Sequence, residues 1–275
     1  ADCTAEAPRL TISVTRLEQL SPALLELGCP ARVYIPLEEV SRLESLPGEG
    51  PEWCAVLPRV WRDRDEPALR TLLERARALG FTGVLIGNLG HLPLVRGLDF
   101  HLYGDYGLNV FNSRSLAYLK DKELESACVS FELRFAQIRD LKKVLRAEAI
   151  VYGRLPLMIT ENCLVQNETG CRLDRQGLCV PEDGPCRCGQ PNVLVDRTGA
   201  AFPLLPAYGH RTEIQNSKPL YLADRPEHRR LGLAYARLRF TTETAEECVS
   251  VVQNYLDAAP AAGDFTRGLY ERGVE

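Results

Sequence analysis

Eight short apolar runs, most followed by a helical pattern, constrain this chain more than any other feature. "RLTISVT" (9–15) precedes "RLEQLSPALLELG", "RVYIP" (32–36) precedes "LEEVSRLESL", and "WCAVLPRV" (53–60) precedes "EPALRTLLERARALG". Next come "GVLIGN" (83–88), "DFHLYGDY" (99–106) with "NSRSLAYLKD", and "SACVSFEL" (126–133) with "RFAQIRDLKKVLR". "EAIVYGRLPLM" (148–158) is the seventh run, and "AYARLRFT" (234–241) with "TAEECVSVVQNYLDAA" is the eighth. Apolar runs of this length between helices predict parallel strands buried on both faces. Eight units in about 260 residues predict a closed α/β barrel, a (β/α)8 TIM-like fold, rather than an open sheet. No Gly-rich dinucleotide fingerprint follows the first strand, which also disfavours the open sheet.

The regular alternation breaks after strand seven. Residues 160–225 are rich in Gly, Pro, Asp and Asn, with short β-like pieces "NVLVDRTGAAFPL" and "PLYLAD". The expected division is therefore 1–159 for barrel units one to seven, 160–225 for a cysteine-rich, partly β insertion, and 226–275 for the closing strand and helix. Around Asp196–Gly199, "DRTG" reads as a hairpin turn. An insertion leaving a barrel after a strand starts at the C-terminal rim, where such barrels carry their active sites.

The insertion also holds five of the ten cysteines. Cys3, Cys29, Cys54, Cys128 and Cys248 are scattered, several in apolar runs, and read as small buried hydrophobes. Cys163, Cys171, Cys179, Cys186 and Cys188 instead fall within 26 residues, spaced C-x7-C-x7-C-x6-C-x-C. That spacing is not the paired CxxC of a zinc ribbon, but soft thiolates this dense point to a metal. His210, 22 residues beyond Cys188, is a candidate nitrogen ligand. The expected set is Cys163, Cys171, Cys186, Cys188 and His210, with Cys179 as a further candidate. Zinc is the expected ion, and an iron–sulfur cluster the alternative.

Other candidates lie where strands end. Asp105, Tyr106 and Asn109 follow strand five, Glu132 ends strand six and Arg154 follows strand seven. Asp105, Asn109, Glu132 and Arg154 are expected at the mouth, where Glu132 and Arg154 either bind a polar substrate or pair with each other. Asn112 or Ser113 reads as a cap for the next helix. No Ser/His/Asp order, HExxH or phosphate loop is present. A net charge of −4 and a pI near 5.7 give no electrostatic footprint for nucleic acid. No run of 18 apolar residues and no signal peptide occur, so a cytoplasmic chain without a membrane span is expected.

Several segments together resemble a known family. "EAIVYGRLPLMITENC" is similar to the signature region of the collagenase-like peptidase family of unassigned catalytic type, number thirty-two, roughly E-x-F-x-x-G-A-L-C followed by G-R-C. "VSFELRFAQI" resembles its L-S-x-E-L-S-x-x-E-I, "LNVFNS" its N-V-x-N, and "IQNSKPLYL" its N-S-x-D-L-C. The resemblance spans about residues 54–225. It implies a peptidase, or an iron–sulfur enzyme hydroxylating RNA bases or quinone precursors, with four cysteine ligands. Carried over residue by residue, those ligands fall on Pro156, Cys163, Cys186 or Cys188, and Tyr221. Proline cannot ligate and tyrosine is a poor ligand for such a cluster, so the remaining cysteines and His210 are expected to form a structural zinc site. Met158 is the only methionine, and the chain is expected to be the C-terminal barrel of a longer, duplicated member, with the N-terminal part as its partner. The expected function is that of a peptidase acting on a peptide. The alternatives are iron–sulfur-dependent hydroxylation of RNA or a small substrate, and a non-catalytic supporting barrel.

Overall fold

The computed structural model of the chain describes residues 7–173, 179–180 and 187–274. It divides into two compact units, one running to Gly153 and resuming at Leu220, the other spanning Arg154–Pro219. The first unit is a closed barrel of eight parallel strands with helices between them. Its strands are β1 (Arg9–Ser13), β2 (Arg32–Pro36), β3 (Glu52–Val56), β4 (Gly83–Ile86), β5 (His101–Gly104), β6 (Ser126–Cys128) and β7 (Arg146–Gly153). The eighth barrel strand, β15 (Tyr235–Arg239), lies between β7 and β1, and β6 pairs with β7 to close the ring. All eight expected runs contribute a barrel strand.

The alternation works because each strand is covered twice. Ile12, Val33, Ile35, Val84 and Ile86 are fully buried. The helix α3 (Glu66–Ala78) buries Leu69, Leu73 and Ala76, spaced four and three residues apart along one stripe. The last helix, α8 (Ala245–Leu256), does the same with Cys248, Val252 and Tyr255. Gly28 ends α1 (Pro22–Gly28) where an added Cβ would lie 3.4 Å from Val252 and 3.5 Å from Ile12, so α1, α8 and β1 meet closely. Helices after some strands are shorter than the sequence suggests, as with α6 (Phe135–Asp140) after β6. The run after β2 yields a single turn, α2 (Leu37–Val40), which ends at Ser41. Asn112 caps α5 (Ser113–Asp121), its Oδ1 accepting from the Arg114 and Ser115 amides at 3.0 Å each.

Three scattered cysteines behave as apolar fillers. Burial pushes the Cys54 and Cys128 thiols far above their ordinary value and Cys248 up to about 12, so all three stay protonated and inert. Cys29 instead is exposed, in the left-handed conformation that ends α1. Cys3 lies outside the described residues.

The second unit follows directly on β7. Its core is an antiparallel sheet in the order β11 (Asn192–Val195), β12 (Ala201–Ala207), β13 (Arg211–Gln215), β8 (Pro156–Thr160). The β11–β12 hairpin turns at Asp196–Gly199, where Asp196 Oδ1 accepts from the Thr198 and Ala200 amides. A two-stranded ladder of β9 (Arg172–Leu173) and β10 (Cys179–Val180) and the helix α7 (Leu164–Thr169) complete the described part. Back in the barrel unit, β14 (Leu220–Tyr221) runs antiparallel to the end of β7. No helix among the described residues is long and apolar enough to cross a membrane.

Candidate active site

The barrel interior is not purely apolar. Tyr34, Cys54, Leu85 and Tyr103 form its hydrophobic plug, and above them a buried arginine gathers two carboxylates. Arg237, in the middle of β15, is 1% exposed. Its Nε and Nη2 donate to Glu148 Oε2, the first at 3.1 Å, and its Nη1 donates to Asp105 Oδ1 at 2.5 Å. Glu148 on β7, also 1% exposed, further accepts from Thr11 Oγ1 at 2.5 Å and Tyr34 Oη at 3.1 Å. Burial, with the Glu148 charge beside it, pushes the Tyr34 hydroxyl far above its ordinary value and so keeps it a donor. Glu148 is thereby saturated. Asp105 differs: Oδ1 is held by Arg237, while Oδ2 accepts no hydrogen bond among the described residues.

Asp105 stands immediately after β5, at the C-terminal end of the strands. The loops around it are fixed by close approach. Gly107 packs on the loop after β4 so tightly that an added Cβ would fall 2.6 Å from the Gly87 carbonyl. At Gly87 itself an added Cβ would come within 3.3 Å of Arg59 Cγ and 3.8 Å of Asp105 Cβ. Tyr106 follows Asp105, with its ring 5.2 Å from the Arg59 guanidinium and 5.8 Å from that of Arg239. The Phe131 ring also lies beside it, with centroids 5.8 Å apart. Arg239 closes β15 and Arg59 follows β3, so two cations share one aromatic platform at the mouth.

His91 opens the helix α4 (His91–Val95) beyond β4 and is fully buried. Its Nε2 lies 3.1 Å from the Pro58 carbonyl and therefore donates to it, which leaves Nδ1 as a bare, buried acceptor. Burial pushes this imidazole down to about 4, against the opposing pull of the Asp105 charge. The loop after β15 is tied to the loop after β1. Gln19 Nε2 donates to the Thr241 and Glu243 carbonyls, and Thr15 Oγ1 donates to Thr241 at 2.8 Å. Tyr152, next to last in β7, donates to Glu243 Oε1 at 3.1 Å.

The residues expected at the rim separate on this geometry. Asp105 and Tyr106 are central to it. Asn109 is exposed and ends the turn after Asp105 in a left-handed conformation, its backbone N–H donating to Tyr106. Glu132 is half-buried, with its amide held by Ser130 Oγ at 3.3 Å. Arg154 belongs to the second unit, where its Nη1 donates to the Asn216 carbonyl at 3.1 Å and to that of Ser217. Arg237, Arg239 and Glu148 were not anticipated as site residues. Their signal was present: charged residues at alternate positions of a strand buried on both faces must point inward and find partners.

The donors expected to hold a metal have local roles in the second unit. The Cys163 thiol caps α7, its Sγ accepting from the Gln166 amide at 3.4 Å. Cys171 Sγ lies 3.0 Å from Thr169 Oγ1, Cys188 sits in the short turn Arg187–Gly189, and His210 occupies the turn between β12 and β13 at φ 59°. Among the described residues no three His, Cys, Asp or Glu side chains gather as a metal site. Cys186 and the side chain of Cys179 lie outside them. At the two substituted ligand positions, Pro156 opens β8, and Tyr221 is buried with its hydroxyl donating to the Ala259 carbonyl at 2.8 Å. Two of the four ligand positions that the resemblance implies therefore carry no thiolate.

A closed eight-stranded barrel with a polar, arginine-organised C-terminal mouth defines the class of protein. The family model for peptidase family U32 matches residues 46–192, more than half of the chain, and the chain belongs to that family. No curated protein matches it. Among solved structures, the U32 peptidase Mk0906 aligns at 9% identity and a TM-score of 0.47, covering 89% of this chain and 97% of that one. Thiamine phosphate pyrophosphorylase from Pyrococcus furiosus aligns at 9% identity and a TM-score of 0.40, with 91% and 95% covered. The Bacillus cereus spore cortex-lytic enzyme SleL aligns at 7% identity and 0.39, with 91% and 75% covered.

Proposed function

We propose that the chain hydrolyses peptide bonds at the C-terminal mouth of its barrel, with Asp105 as the proton acceptor. The supporting observation is the asymmetry of Asp105: a buried guanidinium fixes one carboxylate oxygen, while the other accepts no hydrogen bond among the described residues. In this reading Oδ2 takes a proton from a water whose oxygen attacks the scissile carbonyl carbon. Arg59 and Arg239 stabilise the oxyanion that forms, and the leaving amine regains the proton as the C–N bond breaks. Tyr106 supplies an apolar floor for the chain being cut. Incubation of the purified protein with a mixed pool of unstructured peptides, read by mass spectrometry, tests this. New termini accumulating with time support it. A pool left intact overturns it and favours a barrel that supports a catalytic partner domain.

We also propose a structural zinc ion in the second unit, its ligands drawn from Cys163, Cys171, Cys186, Cys188 and His210, with Cys179 as a further candidate. Elemental analysis of protein purified without chelator should then give about one zinc per chain; metal-free protein refutes it. No step of the hydrolysis above depends on that ion.

A further inference from the structure

At the opposite end of the barrel, where the strands begin, a cavity of about 370 Å³ opens to solvent. Arg32, 2% exposed, forms its inner wall. Its Nε donates to Glu52 at 2.9 Å, its Nη1 to Ser126 at 2.8 Å and its Nη2 to the Tyr235 hydroxyl at 3.1 Å. The guanidinium is also sandwiched between the rings of Tyr103 and Tyr235, 3.5 and 4.2 Å from their centroids. Its charge is matched by Glu52, and His101 on the same wall hydrogen-bonds Glu125, whose charge it balances when protonated. Two cations are left over. Arg9 and Arg146 line the cavity, and neither forms an ion pair or a side-chain hydrogen bond among the described residues.

The register explains why they converge. Arg9 begins β1 and Arg146 begins β7, the two strands that flank β15. Tyr235 is the register partner of Arg9 on one side and of Glu148, two residues beyond Arg146, on the other. With strands about 4.8 Å apart and about 3.3 Å per residue, the two arginines are rooted roughly 12 Å apart. Both side chains are long enough to reach one ligand between them. Two unmatched guanidinium forks at that spacing call for a dianion with several oxygens, which a phosphate group supplies. The volume lies in the range of small-ligand sites and leaves room for a body attached to that phosphate.

We propose that this cavity is a second ligand site, distinct from the mouth, which binds a small phosphate monoester through Arg9 and Arg146. Calorimetric titration at low ionic strength tests it, with glycerol 3-phosphate, inorganic phosphate and succinate as probes. Saturable binding of glycerol 3-phosphate, tighter than that of inorganic phosphate and weakened roughly tenfold by R9Q or R146Q, is the expected result. Equal affinity for both phosphates reassigns the ligand to free phosphate and overturns the monoester. Succinate binding as tightly as the phosphates overturns the phosphate class. R64Q, at an exposed arginine outside the cavity, should leave affinity unchanged. No saturable binding, affinity in R9Q/R146Q equal to the parent, or an equal loss in R64Q overturns the site. Both arginines are exposed, so the variants should keep the parent's unfolding midpoint.

Discussion

Replacing Arg237 with methionine removes the cation that, among the described residues, pairs with both Glu148 and Asp105 inside the barrel. Methionine fills much of the same length, so the loss is electrostatic rather than a cavity. Three donor groups vanish at once: Nε and Nη2 from Glu148, and Nη1 from Asp105. Glu148 keeps only the hydroxyls of Thr11 and Tyr34 against a site that water barely reaches. Breaking a buried pair in this way costs about 3–5 kcal/mol, because an uncompensated charge remains. Urea unfolding followed by tryptophan fluorescence is a suitable assay, since Trp53 and Trp61 both report on the barrel unit. The expected shift in midpoint is about 1–2 M. The double variant R237M/E148M should regain more than half of that loss, because the saturated, most deeply buried carboxylate goes with its partner. A single variant within about 1 kcal/mol of the parent, or a double variant no more stable than the single, would refute the claim that Arg237 acts through these charges.

Three further outcomes are expected. His91 has its folded-state value depressed to about 4, below an unfolded value near 6.5. Its contribution is therefore fully present above about pH 6.5 and is lost as pH falls toward 4, and H91Q should flatten the pH dependence of stability in that window. N112A should cost about 1 kcal/mol of stability through loss of the α5 cap, read as a lower urea midpoint with unchanged far-ultraviolet circular dichroism. His101 should titrate above its ordinary value in proton NMR, because the Glu125 carboxylate hydrogen-bonds it. E125Q should bring it down, with a stability change below about 1 kcal/mol because the pair is largely exposed.

The barrel could be read from the sequence because parallel strands covered on both faces leave near-continuous apolar runs, such as "RVYIP", which coincides with β2. The Asp196–Gly199 hairpin was legible for a different reason: an aspartate able to cap its own turn precedes a glycine at φ 83°. The site was only half legible. Asp105 follows a strand and could be picked out by position. Arg237 and Glu148 could not be matched to it, because their contact spans 89 positions in sequence and depends on barrel closure. The cysteine cluster is legible only as density along the chain: Cys163 and Cys171 make local contacts through sulfur, and spacing alone does not report where thiols point.

The hydrolytic role of Asp105 is tested most directly by the turnover of D105N on a peptide that the parent protein cleaves. The amide keeps the shape and one oxygen but cannot accept a proton from water. The expected result is a kcat lower by roughly 10²–10⁴-fold, with KM little changed. A D105N variant with the parent's kcat would contradict it.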